Sequence, residues 1–148
     1  MKILIFTEGT LIMHRSADSI YDYADYVPIK NAVEKLRSWR GQGAEIVYLT
    51  SRTVPNEVED IRGVLKRYDF PGGEVFSRTK DEGYHDIVER MIPDVLIEDD
   101  CESIGGLNEM TITHVNPSIK ERIKSIPVKE FGGIGYLPNS LEGLSHYH

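Results

Sequence analysis

Apolar positions along the chain fall into two alternating kinds of run. Residues 2–6 (Lys-Ile-Leu-Ile-Phe) form a short continuous apolar stretch, the pattern of a strand covered on both faces. Comparable runs recur at 45–50 (Glu-Ile-Val-Tyr-Leu-Thr) and 94–98 (Asp-Val-Leu-Ile-Glu), with a shorter one at 74–77. Between them the apolar residues return every three or four positions. Pro28 opens such a pattern through Ile29, Ala32, Val33, Leu36 and Trp39, and Gly41 and Gly43 close it. A second helix is predicted over 56–68, with Val58, Ile61, Leu65 and Tyr68 on one face and Pro55 suited to its start. A third is predicted over 82–91, stopped by Pro93. The alternation at 111–116 (Thr-Ile-Thr-His-Val-Asn) predicts a fifth strand, and 117–124 a short helix. Residues 11–27 have no clear period and are rich in Tyr and Asp, and 132–148 read as irregular.

Strands alternating with helices predict an α/β fold: a three-layer α/β/α, Rossmann-like arrangement around a mostly parallel five-stranded sheet. The length of 148 residues matches one domain. In such sheets ligands bind beyond the carboxyl ends of the strands, so the residues that end each strand are the ones to read for chemistry.

Composition narrows the choice of partner. With 24 acidic against 17 basic residues the formal net charge is −7, and no basic block or basic–aromatic stripe is present. Phosphate-backbone recognition needs clustered Lys and Arg, so nucleic acid is not an expected partner. No apolar run reaches the ~18–20 residues of a membrane span. A single cysteine, Cys101, excludes an internal disulfide and, with a first segment patterned as a strand, points to a cytoplasmic setting.

The strand ends carry the chemistry. The first run leads into Thr7-Glu8-Gly9-Thr10, the second ends at Thr50-Ser51-Arg52, the third leads to Arg78-Thr79-Lys80, and the fourth ends at Glu98-Asp99-Asp100. A parallel sheet brings all of these to one edge. Clustered carboxylates repel unless a hard cation such as Mg²⁺ neutralises them. Hydroxyls, backbone N–H groups and a lysine are what a phosphoryl oxygen requires.

In this order the strand ends resemble the motifs of the haloacid dehalogenase (HAD) superfamily of phosphatases and phosphotransferases. Phe6-Thr7-Glu8-Gly9-Thr10-Leu11 is similar to the family's first motif, Asp-x-Asp-Gly-Thr-Leu. Val47–Thr50, followed by Ser51 and Arg52, is similar to the second, Lys80 stands for the third, and Ile97-Glu98-Asp99-Asp100 for the fourth. The stretches 49–52 and 93–100 look closest to the nucleotidase-like branch. The resemblance implies a HAD fold over 1–148 with no separate cap domain, since only 11–27 separate the first motif from the first helix. It further implies catalytic roles for Glu8 and Lys80. Thr7, Gly9, Thr10, Thr50, Ser51 and Arg52 would hold a phosphorylated substrate, and Glu8, Asp99 and Asp100 would hold Mg²⁺.

The first motif departs from the family at its nucleophile. Anchored on Gly9-Thr10-Leu11, that place falls to Phe6; anchored on the strand start, it falls to Thr7. Neither is an Asp. General acid–base help alone contributes about 10²–10⁴-fold, whereas phosphate-monoester hydrolysis requires up to ~10²¹-fold. The expected function is therefore a phosphatase-fold protein that binds Mg²⁺ and a small phosphorylated molecule with little or no turnover. The alternative is a Mg²⁺-dependent phosphomonoester hydrolase in which Glu8 serves a metal-bound water. The open site leaves room for cover by the Tyr- and Asp-rich segment or by a second subunit in a homo-oligomer.

Overall fold

A computed structural model describes residues 1–148. Strand β1 (Lys2–Phe6) is followed by a two-stranded antiparallel hairpin, β2 (Ile12–Met13) and β3 (Val27–Pro28). Helix α1 (Ala32–Gly41), strand β4 (Glu45–Leu49), helix α2 (Pro55–Arg67) and the short strand β5 (Val75–Phe76) come next. Helix α3 (Tyr84–Met91) and strand β6 (Val95–Asp99) lead, through 3-10 turns, to helix α4 (Pro117–Lys120), strand β7 (Lys124–Val128) and helix α5 (Leu141–Ser145). The main sheet is five-stranded and wholly parallel, in the order β5-β4-β1-β6-β7. No separate domain interrupts it, and no helix is long and apolar enough to cross a membrane.

Continuous apolar runs form the central strands because both faces of the sheet are covered. Ile3 and Ile5 of β1 join Leu36 and Trp39 of α1 and Ile61 and Val64 of α2 in one core. Leu4 and Phe6 face the other way, against Ile87 and Val88 of α3, with Val115 and Ile123 alongside. Two apolar layers around one sheet give the three-layer architecture that the alternating pattern predicts.

The carboxyl-terminal third departs from the sequence-based expectation. The predicted strand at 111–116 is a 3-10 turn, Thr111–His114. The Glu98 carboxylate accepts hydrogen bonds from the backbone N–H groups of Thr111 (2.7 Å) and Ile112 (3.0 Å), which bends this segment off the sheet. The fifth strand is instead β7, Lys-Ser-Ile-Pro-Val, and the helix predicted over 117–124 stops at Lys120 so that the chain can enter it. Pro127 is tolerated because β7 lies at the sheet edge.

The tail is also more ordered than its sequence pattern predicts. Ile134, Leu137 and Leu144 are buried in the α1/α2 core. Helix α1 holds this segment through Lys35 Nζ, which donates to Leu137 O (2.7 Å) and to Asn139 Oδ1, and through Trp39 Nε1, which donates to Pro138 O (3.0 Å).

Candidate functional site

The sheet order reverses direction between β1 and β6. The chain runs outward from β1 through β4 to β5, then crosses back to β6 and β7. The loops after β1 and β6 therefore flank the crevice expected at such a switch point. A cavity of about 720 Å³ opens here, lined by Glu8, Gly9, Ser51, Arg52, Arg78 and Asp99 among others. That volume lies in the range of small-molecule sites.

The β1 loop is tightly wound. Thr7 O accepts from the N–H groups of Thr10, Leu11 and Ile12, and Gly9 N–H donates to Ile12 O (2.8 Å). Gly9 has φ +81°, a conformation open to glycine. Thr7 and Thr10 are fully buried. Phe6, the residue before the loop, packs edge-on against Tyr84 with ring centroids 5.4 Å apart. Its side chain belongs to the apolar layer over α3 and offers no reactive group.

Glu8 is the best-partnered polar side chain of the crevice. Its Oε1 accepts from Thr50 Oγ1 (2.8 Å) and from Thr7 Oγ1. Its Oε2 accepts from Ser51 N–H (3.1 Å) and Ser51 Oγ (2.6 Å), and Arg52 Nε stands 3.4 Å away as an ion pair. Thr50 Oγ1 also accepts from Arg52 N–H (3.1 Å), which sets the turn after β4. The Arg52 guanidinium lies over the Tyr23 ring, 4.5 Å from its centroid, and Nη1 donates to the Tyr23 hydroxyl. Burial pushes the neighbouring Tyr26 hydroxyl up to about 12, so it acts as a neutral donor, to Ile20 O at 2.6 Å.

The acidic side of the crevice lies after β6. Asp99, Asp100 and Glu130 each present a carboxylate oxygen within 4.8 Å of the others. Asp99 Oδ1 accepts from Cys101 N–H (2.9 Å), and Thr10 Oγ1 approaches Oδ2 at 3.4 Å. Burial raises the Asp99 carboxyl; the Cys101 N–H pulls it back and the Glu130 charge raises it again. Burial also pushes the Cys101 thiol up to about 12, with the Asp99 and Glu98 charges adding to it, so the thiol is not a nucleophile here. Three hard, like-charged oxygen donors held this close fit a divalent cation such as Mg²⁺. Bound there, the ion would supply positive charge for a neighbouring oxyanion.

The predicted residues thus divide. Thr7, Glu8, Thr50, Ser51 and Arg52 form one hydrogen-bonded group; Thr10 and Asp99 meet beside Gly9, and Asp100 stands with Asp99 in the carboxylate group. Glu8 stands outside the close carboxylate group, and Glu130 completes it. Lys80 is exposed in the turn before α3 and does not line the cavity. Arg78 does line it, stacked on Tyr84 with its guanidinium carbon 5.2 Å from the ring centroid and with no carboxylate within ion-pair distance. Glu98 serves structure, as the buried acceptor of the Thr111 and Ile112 N–H groups. Glu130 has no local signature; only the placement of the last strand brings it to the crevice.

No family model and no curated protein matches the chain. Among solved structures, a chain of the Pnkp1/Rnl/Hen1 RNA repair complex is similar, with 12% identity, a TM-score of 0.60, and coverage of 86% of this chain and 43% of that one. A chain in a second structure of the Pnkp1/Rnl/Hen1 complex is similar with 14% identity and a TM-score of 0.59, covering 87% and 47%. This chain therefore spans less than half the length of either. At such identities the likeness shows the α/β fold alone.

Proposed function

We propose that this chain is a HAD-like, phosphatase-fold protein that binds a small phosphorylated molecule and Mg²⁺ with little or no turnover. The observation that carries the reading is the cradle around the Glu8 carboxylate. Two threonine hydroxyls, one serine hydroxyl, one backbone N–H and one guanidinium converge on a single pair of anionic oxygens. Those donor types also hold phosphoryl oxygens. The lack of turnover is supported by the residues beside the cradle. Phe6 is apolar, the Thr7 hydroxyl is directed at Glu8, and the histidine that lines the cavity, His14, packs edge-on against Tyr26 and Phe131.

Asp99, Asp100 and Glu130 are the Mg²⁺ ligands in this reading, and Arg78 is the cation that meets the phosphorylated group. The matched chains belong to an RNA repair complex, which taken over literally would make the ligand an RNA. A net charge of −7 and the absence of a basic stripe favour a small molecule instead.

The second reading, a Mg²⁺-dependent phosphomonoester hydrolase, is supported by the closeness of the carboxylate group to the β1 loop, where a Cβ on Gly9 would stand 2.8 Å from Asp99 Oδ2. A panel of phosphomonoesters assayed with Mg²⁺, with binding followed at the Ser51 amide by NMR, separates the two. Saturable shifts without phosphate release are expected. Turnover that disappears in Asp99→Asn would replace the first reading with the second.

A further inference from the structure

Glu8 has a property that its place in the motif does not imply. Both of its carboxylate oxygens are already occupied, Oε1 by the Thr7 and Thr50 hydroxyls and Oε2 by the Ser51 N–H and hydroxyl. The arrangement is also one acceptor short. Arg52 Nε is buried, lies 3.4 Å from Glu8 Oε2, and has no hydrogen-bond acceptor of its own. A planar carboxylate offers two oxygens; a tetrahedral phosphoryl group offers at least three. A buried donor left without a partner costs stability and is seldom retained.

We infer that Glu8 is a built-in occupant of the anion cradle: its carboxylate stands where a phosphoryl group binds, and a phosphorylated ligand enters by displacing it. This rests on the reading of Thr50, Ser51 and Arg52 as a phosphoryl site and adds how that site is regulated. The geometry gives the competition a cause. Glu8 is tethered through the β1 loop, so its carboxylate is present at a high effective concentration and a free anion has to outcompete it. The loop itself need not move, because Gly9 and the Thr7 carbonyl are fixed by backbone hydrogen bonds; only the Glu8 side chain has to turn out into the cavity that it already lines. The unmatched Arg52 Nε then gains the acceptor that the carboxylate does not supply.

The test compares wild type, Glu8→Ala and Glu8→Gln. Inorganic phosphate is titrated at constant ionic strength, and the Ser51 amide is followed by NMR. The alanine variant empties the cradle. The glutamine variant keeps the side-chain volume, removes the charge, and guards against a folding defect in the first. Both are expected to bind phosphate more tightly than wild type by about tenfold or more, the equivalent of one charge-assisted hydrogen bond. Phosphate is also expected to raise the melting temperature of Glu8→Ala more than that of wild type. Equal or weaker affinity in the variants, with the Ser51 amide still responding, would overturn the role of Glu8 and leave the cradle standing. A Ser51 amide that ignores phosphate in all three folded proteins would remove the cradle, and the inference with it.

Discussion

Gly9 lies directly against the Asp99 carboxylate: a Cβ at position 9 would stand 2.8 Å from Asp99 Oδ2, and the Gly9 backbone has φ +81°. A side chain at position 9 would force the Asp99 carboxylate to shift. Gly9→Ala is expected to destabilise the fold by about 1–3 kcal/mol through the left-handed backbone and the crowded contact. Urea unfolding should show a lower midpoint with an unchanged slope.

The buried Glu98 carboxylate accepts from the N–H groups of Thr111, which is buried, and Ile112, which is half-buried. Its removal in Glu98→Ala leaves both donors without an acceptor and is expected to cost about 2–3 kcal/mol, with Glu98→Gln milder because one acceptor remains. Hydrogen exchange at the Thr111 and Ile112 amides should quicken in the alanine variant before global unfolding.

Lys35 is buried, and burial lowers its pKa from the usual lysine value. In the native state it therefore gives up its proton at a lower pH than in the unfolded chain. The unfolded state binds more protons between the two values, so stability rises with pH across that window and is lost as pH falls through the folded value. The advantage of wild type over Lys35→Met, measured by denaturant unfolding, is expected to grow from neutral pH towards pH 10. A flat difference would mean that the buried amine is not penalised.

Arg78 and Lys80 are separated by one residue but differ in placement. Arg78 lines the cavity without a carboxylate partner, and Lys80 is exposed outside it. Arg78→Ala is expected to weaken phosphomonoester binding by about tenfold, consistent with one charge-assisted contact. Lys80→Ala should leave the affinity within about twofold, as for other exposed charges. Calorimetric titration of the two variants side by side checks this.

The carboxylate group of Asp99, Asp100 and Glu130 predicts a metal-dependent stability. Mg²⁺ at about 100 times its Kd should add roughly 2.7 kcal/mol to the folded state. Asp99→Asn and Glu130→Gln should lose that gain, and Glu8→Gln should retain it because Glu8 stands outside the group. Thermal melts with and without Mg²⁺ distinguish the three.

The central strands were legible because burial on both faces leaves an unbroken apolar run, as in Ile3–Phe6 and Ile46–Leu49. Strand β7 was not. At the sheet edge it carries Lys124, Ser125 and Pro127, and only Ile126 and Val128 are buried. The alternation of Thr111–Val115 mimics a strand, yet a buried carboxylate distant in sequence decides its conformation. Glu8, Thr50, Ser51 and Arg52 were legible as strand-end residues, but not the direction in which Glu8 points. Glu130 could not be distinguished among 24 acidic residues until the strand before it was placed.

Phe131 N–H donates to Gly9 O at 2.9 Å, so the loop after the first strand is fastened by the segment after the last. Neither half of the chain contains a finished crevice. A polypeptide still emerging from the ribosome would have Thr50 and Ser51 in place yet lack Glu130 and the clasp on Gly9. Both the carboxylate group and the anchoring of the Gly9 loop thus depend on the segment that follows the last strand.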